Sequence, residues 1–177
     1  MGVIITESGM DFGEYDKRYV FHIEKSKQYT KKLLSNGIKC CEFILLRNNK
    51  IFFVEAKTSC PKQITAETAK EKIEKYEDNI REIVLKMKHS IMLYSNILLS
   101  RYDSEGVPEL LRNKDLSGVH MCFVLVVKNA KTEWLISYKE RLSKELKDIS
   151  AIYKMPDILV INEETAKKKN LIIEKAE

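Results

Sequence analysis

Two glutamates and a lysine, Glu42, Glu55 and Lys57, occupy the two strands of a predicted hairpin and could act together on an ion or a phosphate. The apolar segments on either side of Asn48-Asn49 are rich in Phe, Ile, Leu and Val, and these asparagines tolerate the left-handed backbone of a tight turn. If they form the loop, the numbers of paired residues sum to 97, so Glu42 faces Glu55. Because side chains alternate along a strand, both glutamates should share one face with Lys57.

Two like charges facing each other in a sheet need compensation, since such a pair costs roughly 0.2–1 kcal/mol and more when it is partly buried. A hard divalent cation would supply it, because Mg²⁺ and Mn²⁺ prefer oxygen ligands. An isolated Glu-x-Lys match is usually incidental. Here the apolar flanks and the register that brings Glu42 opposite Glu55 favour a metal site, with Lys57 as a cation for a phosphate oxygen.

The elements that must position these residues follow from the hydrophobic periodicity. We predict a helix with one basic face over 15–34, ended by Ser35-Asn36-Gly37. Further predictions are a long helix carrying the stripe from Ile73 to Leu98, a buried strand over 119–127, a helix over 134–149, a strand over 157–161 and a short helix over 163–169. Alternating helices and strands after a hairpin predict an α/β fold around a mixed sheet, with 3–6 as a possible extra strand.

The composition bounds the class of protein. The chain has 177 residues, 44% of them hydrophobic and 32% charged, which predicts one domain with a sizeable core over 1–177. Its longest apolar run, 121–127, is far shorter than the roughly 20 residues of a membrane span, so we expect no membrane partner. Four scattered cysteines are typical of reduced thiols in a cytoplasmic protein. The net charge of +5 is equally compatible with an anionic partner and with solvated lysine faces.

Glu42 together with Glu55-Ala56-Lys57 at the end of an apolar strand resembles the PD-(D/E)xK nuclease superfamily, which includes many restriction endonucleases and archaeal Holliday junction resolvases. The likeness covers about residues 10–130. It implies a restriction-endonuclease-like mixed sheet flanked by helices, with Glu42, Glu55 and Lys57 as catalytic residues. It also implies Mg²⁺ or Mn²⁺ held by Glu42, Glu55 and the carbonyl of Ala56. Members often add an acid from the first helix, and Glu24 is the candidate here.

Three hypotheses of function remain open at this point. The first is a metal-dependent nuclease that hydrolyses phosphodiester bonds, in DNA rather than RNA. The second is a catalytically weak or inactive nuclease-like domain that serves as a nucleic-acid-binding or scaffolding subunit. The third is a protein-interaction domain whose long Ile73 to Leu98 helix forms a dimer seam, and a homodimer or a larger complex is compatible with all three. The nucleic-acid target and the mode of cutting stay open.

Overall fold

The computed structural model describes residues 2–60, 69–113 and 115–173. Its strands are β1 (Gly2–Glu7), β2 (Met10–Asp16), β3 (Val20–Phe21), β4 (Phe43–Arg47), β5 (Lys50–Lys57), β6 (His120–Val127) and β7 (Leu159–Asn162). Its α-helices are α1 (Lys70–Leu98), α2 (Glu109–Arg112), α3 (Thr132–Glu145), α4 (Lys147–Ile152) and α5 (Glu163–Lys168). Short 3₁₀ turns span Ile23–Lys25 and Leu34–Asn36, and a π-helical turn spans Tyr29–Leu33.

The main sheet is mixed and has the strand order β3-β4-β5-β6-β7. Strands β3, β4 and β5 pair antiparallel, whereas β5, β6 and β7 pair parallel. A separate two-stranded sheet is formed by β1 and β2. The prediction of an α/β fold around a mixed sheet is thereby confirmed.

The β4–β5 hairpin has the predicted register. Its pairs run from Arg47–Lys50 at the tip to Phe43–Val54, and the numbers of each pair sum to 97. Asn48 and Asn49 have φ values of 51° and 57°, which a tight I′ turn requires of both loop residues. Successive side chains therefore enter two core layers. The layer under α1 and α3 receives Ile44, Leu46, Ile51 and Phe53, and the layer under β1, β2 and α5 receives Phe43, Leu45, Val54 and Ala56.

Periodicity also predicts the long helix and the central strand correctly. Helix α1 buries one stripe in the core, at Tyr76, Ile80, Ile83, Met87, Ile91 and Tyr94. Strand β6 lies between β5 and β7 and is buried on both faces from Phe123 onward. The sequence of such a strand is a continuous apolar run, because helices or hairpins cover both faces of the sheet and bury the side chains on each. None of the helices within the described ranges is long and apolar enough to cross a lipid bilayer.

The predicted helix over 15–34 is wrong in its first half. Tyr15 is the second-last residue of β2 and lies in the core beneath that hairpin, where its hydroxyl donates to the Leu171 carbonyl at 2.7 Å. Val20 and Phe21 form an edge strand on β4. Apolar residues of this segment are buried in two different layers, so their spacing imitates a helical stripe without being one. The predicted end is correct, since Gly37 closes the helical turns with φ 72°.

Candidate active site

The carboxyl end of β5 brings the predicted site residues to the face covered by α1. The β4–β5 ladder ends at Phe43–Val54, one pair before the predicted Glu42–Glu55 pair. Glu42 directly precedes β4, and its backbone N–H donates to the Val54 carbonyl at 3.0 Å. The two glutamates still lie on the same side of the sheet, where they approach one lysine rather than forming a regular cross-strand pair.

Lys86 of α1 is the centre of this cluster. Its Nζ lies 2.9 Å from Glu55 Oε1, 3.5 Å from Glu42 Oε1 and 3.6 Å from Glu24 Oε1. The Lys86 side chain is only 12% exposed and that of Glu55 is fully buried. The structure therefore brings Glu24 to the predicted pair, although Glu24 stands in the 3₁₀ turn after β3 and not in a long helix.

Lys57, the last residue of β5, lies at the mouth of the cluster. Its Nζ donates to Glu82 Oε1 at 2.8 Å and lies 3.6 Å from Glu55 Oε1. The Lys57 hydrogen bond lowers the pKa of Glu82. With a side chain that is 21% exposed, Lys57 connects the buried carboxylate of Glu55 to the solvent edge.

Burial dominates the titration of the two central glutamates. It raises the pKa of Glu55 to about 7, against the opposing charge of Lys86. It also raises the pKa of Glu42 to about 9, and a hydrogen bond with Glu24 acts in the same direction. Burial alone would lower the pKa of Lys86, but the carboxylates of Glu55 and Glu42 outweigh it and raise that pKa. The cluster thus holds carboxyl groups that ionise with difficulty.

Within the described residues, two carboxylate oxygens of the cluster have no hydrogen-bond partner. They are Oε2 of Glu42 and Oε2 of Glu55, and both are buried. Lys57 and Lys86 form ion pairs with the carboxylates of Glu24, Glu42, Glu55 and Glu82, so negative charges outnumber positive charges by two among these six groups when all are ionised. Because buried polar atoms are normally paired, these oxygens are open positions for a proton or for a cation.

The tip of the β1–β2 hairpin reaches the same end of the sheet. Ser8 and Gly9 form its turn with φ values of 52° and 72°. The Ser8 hydroxyl donates to the Ala56 carbonyl at 3.0 Å, and Lys128 Nζ donates to the Gly9 carbonyl at 2.7 Å. The predicted carbonyl ligand at Ala56 thus already accepts one hydrogen bond, and a carbonyl oxygen has a second lone pair.

This hairpin contributes Glu7, which the sequence did not indicate as a site residue. One ligand atom each of Glu7, His22 and Glu42 lies within 4.8 Å of the other two. This group shares Glu42 with the predicted metal ligands but contains neither Glu55 nor Ala56. The sequence offered no signal for it, because Glu7 and His22 come from separate segments that meet only through the fold.

No protein-family model, curated protein or solved structure matched this chain. The nuclease interpretation therefore depends on the residues of the cluster themselves. All four predicted catalytic residues, Glu24, Glu42, Glu55 and Lys57, lie in it, joined by the lysine-centred ion pairs. Sequence reasoning missed Lys86 and Glu82, although both stand on α1 beside its apolar stripe and are four residues apart, which puts them on one helix face.

Proposed function

We propose that the protein is a metal-dependent nuclease that hydrolyses phosphodiester bonds in DNA. The observation that carries the proposal is the pair of buried glutamates, Glu42 and Glu55, each with one oxygen that has no hydrogen-bond partner among the described residues, and Glu55 lies 3.6 Å from Lys57. A buried carboxylate that lacks a partner is costly unless a proton, a cation or a ligand completes it. Buried ionisable groups whose pKa values are perturbed in this way are frequent at functional sites.

The donor chemistry suits a hard divalent cation. The oxygens of Glu42 and Glu55 with the carbonyl of Ala56 make an all-oxygen set, which Mg²⁺ or Mn²⁺ favours while keeping water and phosphate as further ligands. Bound there, such an ion would supply Lewis-acid stabilisation of the phosphate and would lower the pKa of a water. Glu24 lies close enough to Lys86 and Glu42 to share the charge of the site.

Lys57 has the position and charge to act on the scissile phosphate. In the hydrolysis, a water oxygen bonds to phosphorus and gives up a proton to solvent, the bond from phosphorus to one sugar oxygen breaks, and that oxygen takes up a proton from solvent. The Lys57 ammonium would stabilise the negative charge that grows on the phosphate oxygens, an effect that is largest in a site screened from bulk water. Its hydrogen bond to Glu82 holds the side chain at the mouth of the cluster.

The architecture is compatible with this assignment. A mixed sheet with α1 over the carboxylate face is what the likeness to PD-(D/E)xK nucleases implies, so we propose that the fold is restriction-endonuclease-like. The four cysteines are free thiols, as in a reducing cytoplasm, where we propose that the protein acts.

One observation favours a second candidate, a scaffold with an unused site. Lys86 already lies among three carboxylates, as a purely structural ion-pair network would place it. In that case the cluster would fix the position of α1 on the sheet and hold no ion. The alternative therefore predicts a folded protein that binds nucleic acid, or a partner protein, without cleaving DNA.

Cleavage of single-stranded, duplex and branched DNA tests the proposal, in Mg²⁺ and in EDTA. Lys57→Ala should reduce the rate by about two to three orders of magnitude, the usual loss for one charge-stabilising group. DNA affinity should change far less, since one phosphate contact is a small part of the footprint. Lys50→Ala is the matched control, because Lys50 begins the strand that Lys57 ends and is solvent-exposed.

The outcome separates the two candidates. Mg²⁺-dependent cleavage that is lost in Lys57→Ala and retained in Lys50→Ala supports the nuclease. Absence of cleavage in any metal, or a Lys57→Ala rate equal to that of the wild type, would overturn it and favour the scaffold. Calorimetry of Mg²⁺ binding to the wild type and to Glu55→Gln adds a second criterion, since equal affinities would exclude Glu55 as a ligand.

A further inference from the structure

We propose that Glu7, His22 and Glu42 form a second cation site, which prefers Mn²⁺ and similar transition metals to Mg²⁺. The site shares Glu42 with the proposed nuclease centre but needs no cleavage activity in order to bind metal. Its ligand Glu7 lies in the N-terminal hairpin, before the residues 10–130 that the resemblance to nucleases covers. Glu42 was indicated by the sequence, whereas Glu7 and His22 were not.

The three ligands converge from three separate elements. Glu7 is the last residue of β1, His22 directly follows β3, and Glu42 directly precedes β4. One ligand atom of each lies within 4.8 Å of the other two, and His22 Nε2 lies 3.4 Å from Glu7 Oε1. An ion placed between them at ordinary ligand distances of about 2.0–2.2 Å would need only small side-chain movements.

Unpartnered buried atoms point to a ligand at this place. The Glu42 residue is 6% exposed, and its Oε2 accepts no hydrogen bond from the described residues. His22 Nε2 is also buried, and within the described part of the chain it has the Glu7 carboxylate as an ion-pair neighbour at 3.4 Å but no hydrogen-bond partner. A nitrogen and a carboxylate oxygen that both lack hydrogen bonds there, on residues that approach each other this closely, match the donors of a mixed nitrogen and oxygen metal site.

The imidazole determines which metal the site would favour. Mg²⁺ prefers oxygen donors in near-octahedral geometry and gives up water reluctantly. First-row transition metals accept imidazole nitrogen readily, and among them Mn²⁺ also suits carboxylates and water. Two carboxylates and one histidine would therefore discriminate against Mg²⁺, in contrast to the all-oxygen set at Glu42, Glu55 and Ala56.

Lys25 competes with a metal for one of the ligands. Its Nζ lies 2.9 Å from Glu7 Oε1, and its side chain is 64% exposed. A metal that binds Glu7 would displace this ammonium toward solvent, where little free energy is lost because exposed ion pairs are weak. Removing Lys25 should therefore strengthen metal binding, whereas nonspecific damage to the fold would weaken it.

The full chain is titrated with Mn²⁺, and electron paramagnetic resonance measures the free Mn²⁺ that remains. Melting curves on the same samples check that each variant is folded.

Measurements in the Glu55→Gln background isolate the second site from the proposed nuclease centre. In that background, Glu7→Gln and His22→Gln should each lower the Mn²⁺ affinity at least tenfold, since even the loss of an outer-sphere partner costs 10–100-fold. Lys25→Ala should raise it severalfold. His120→Gln removes an exposed imidazole at the start of β6 and should change nothing.

Wild-type Mn²⁺ affinity in His22→Gln, or no gain of affinity in Lys25→Ala, would overturn the site. Should His22→Gln fail to fold, Lys25→Ala alone decides. Retained Mn²⁺ binding in Glu55→Gln, with no cleavage by the wild type, would support this site while the nuclease proposal fails. Cleavage in Mg²⁺ together with unchanged Mn²⁺ affinity in His22→Gln would support the nuclease proposal and overturn the second cation site.

Discussion

The two ends of strand β5 carry the same residue type in opposite environments. Lys50 begins the strand and Lys57 ends it, roughly 23 Å away at 3.3 Å per residue. At the Lys57 end, lysines and glutamates lie within ion-pair distance of one another beneath α1. At the Lys50 end, a cavity of about 760 Å³ opens at the amino ends of β5, β6 and β7.

The cavity end differs in how its cations are partnered. Its lining includes Arg47, Lys50, Lys154 and Lys169, and within the described residues none of them forms an ion pair. Its apolar lining includes Phe52 and Leu159. Arg47 instead donates to the carbonyls of Lys169 and Asn170, at 3.0 and 3.1 Å.

The difference shows that burial, and not charge content, determines which charged residues must associate. A solvated lysine needs no partner, because water stabilises its ammonium group. A buried glutamate such as Glu55 does need one, since the desolvation of a charge costs several kcal/mol. Glu55 and Lys86 each have charged partners close by. We therefore expect substitutions at their end of the sheet to change the free energy of unfolding most.

The largest expected effect is that of Lys86→Ala on stability. At pH 8, this substitution leaves the ionised and buried Glu55 without its nearest cation, and breaking such a buried pair typically costs about 3–5 kcal/mol of unfolding free energy. Urea unfolding at pH 8 in EDTA measures it. Lys88→Ala is the matched control on the same helix, because Lys88 pairs with the exposed Asp148 and should contribute about 0–1 kcal/mol. Equal losses in both variants would contradict the contrast between buried and exposed pairs.

A somewhat smaller effect is expected from pH. Burial raises the pKa of Glu55 from 4.5 to about 7, so the folded protein binds more protons than the unfolded chain between these values. Stability from this group is then fully present below pH 4.5 and declines as the pH rises toward 7, by about 3 kcal/mol. Unfolding free energies measured across this range in EDTA should decline less in Glu55→Gln. Identical pH profiles for the two proteins would show that Glu55 titrates normally.

The smallest effect is expected at the cavity end. Lys154→Ala removes an exposed cation without an ion-pair partner among the described residues, and such surface changes usually alter stability by less than about 0.5 kcal/mol. Melting temperature and urea unfolding beside the wild type measure the change. A loss of more than 1 kcal/mol would mean that this rim is coupled to the core, and that the two ends of β5 differ less than their exposure indicates.

The sequence alone determined the elements with local periodicity. Asn48-Asn49 fixed the hairpin register, since a tight turn and a period of two leave one alignment that keeps both apolar sets inside. The stripe from Ile73 to Leu98 fixed α1, and the apolar run ending at Val127 fixed β6. The hairpin register also placed Glu42, Glu55 and Lys57 on one side of the sheet.

Only the tertiary structure decided what surrounds those residues. Lys86 and Glu82 reach the cluster because α1 packs across the sheet, and Glu7 reaches it because the β1–β2 turn is held at Ala56 and Lys128. The wrong first half of the predicted helix over 15–34 has the same origin, since the apolar residues of that segment are divided between two core layers. Periodicity along the chain reports which side chains are buried, whereas packing between distant segments determines which charged groups are buried together.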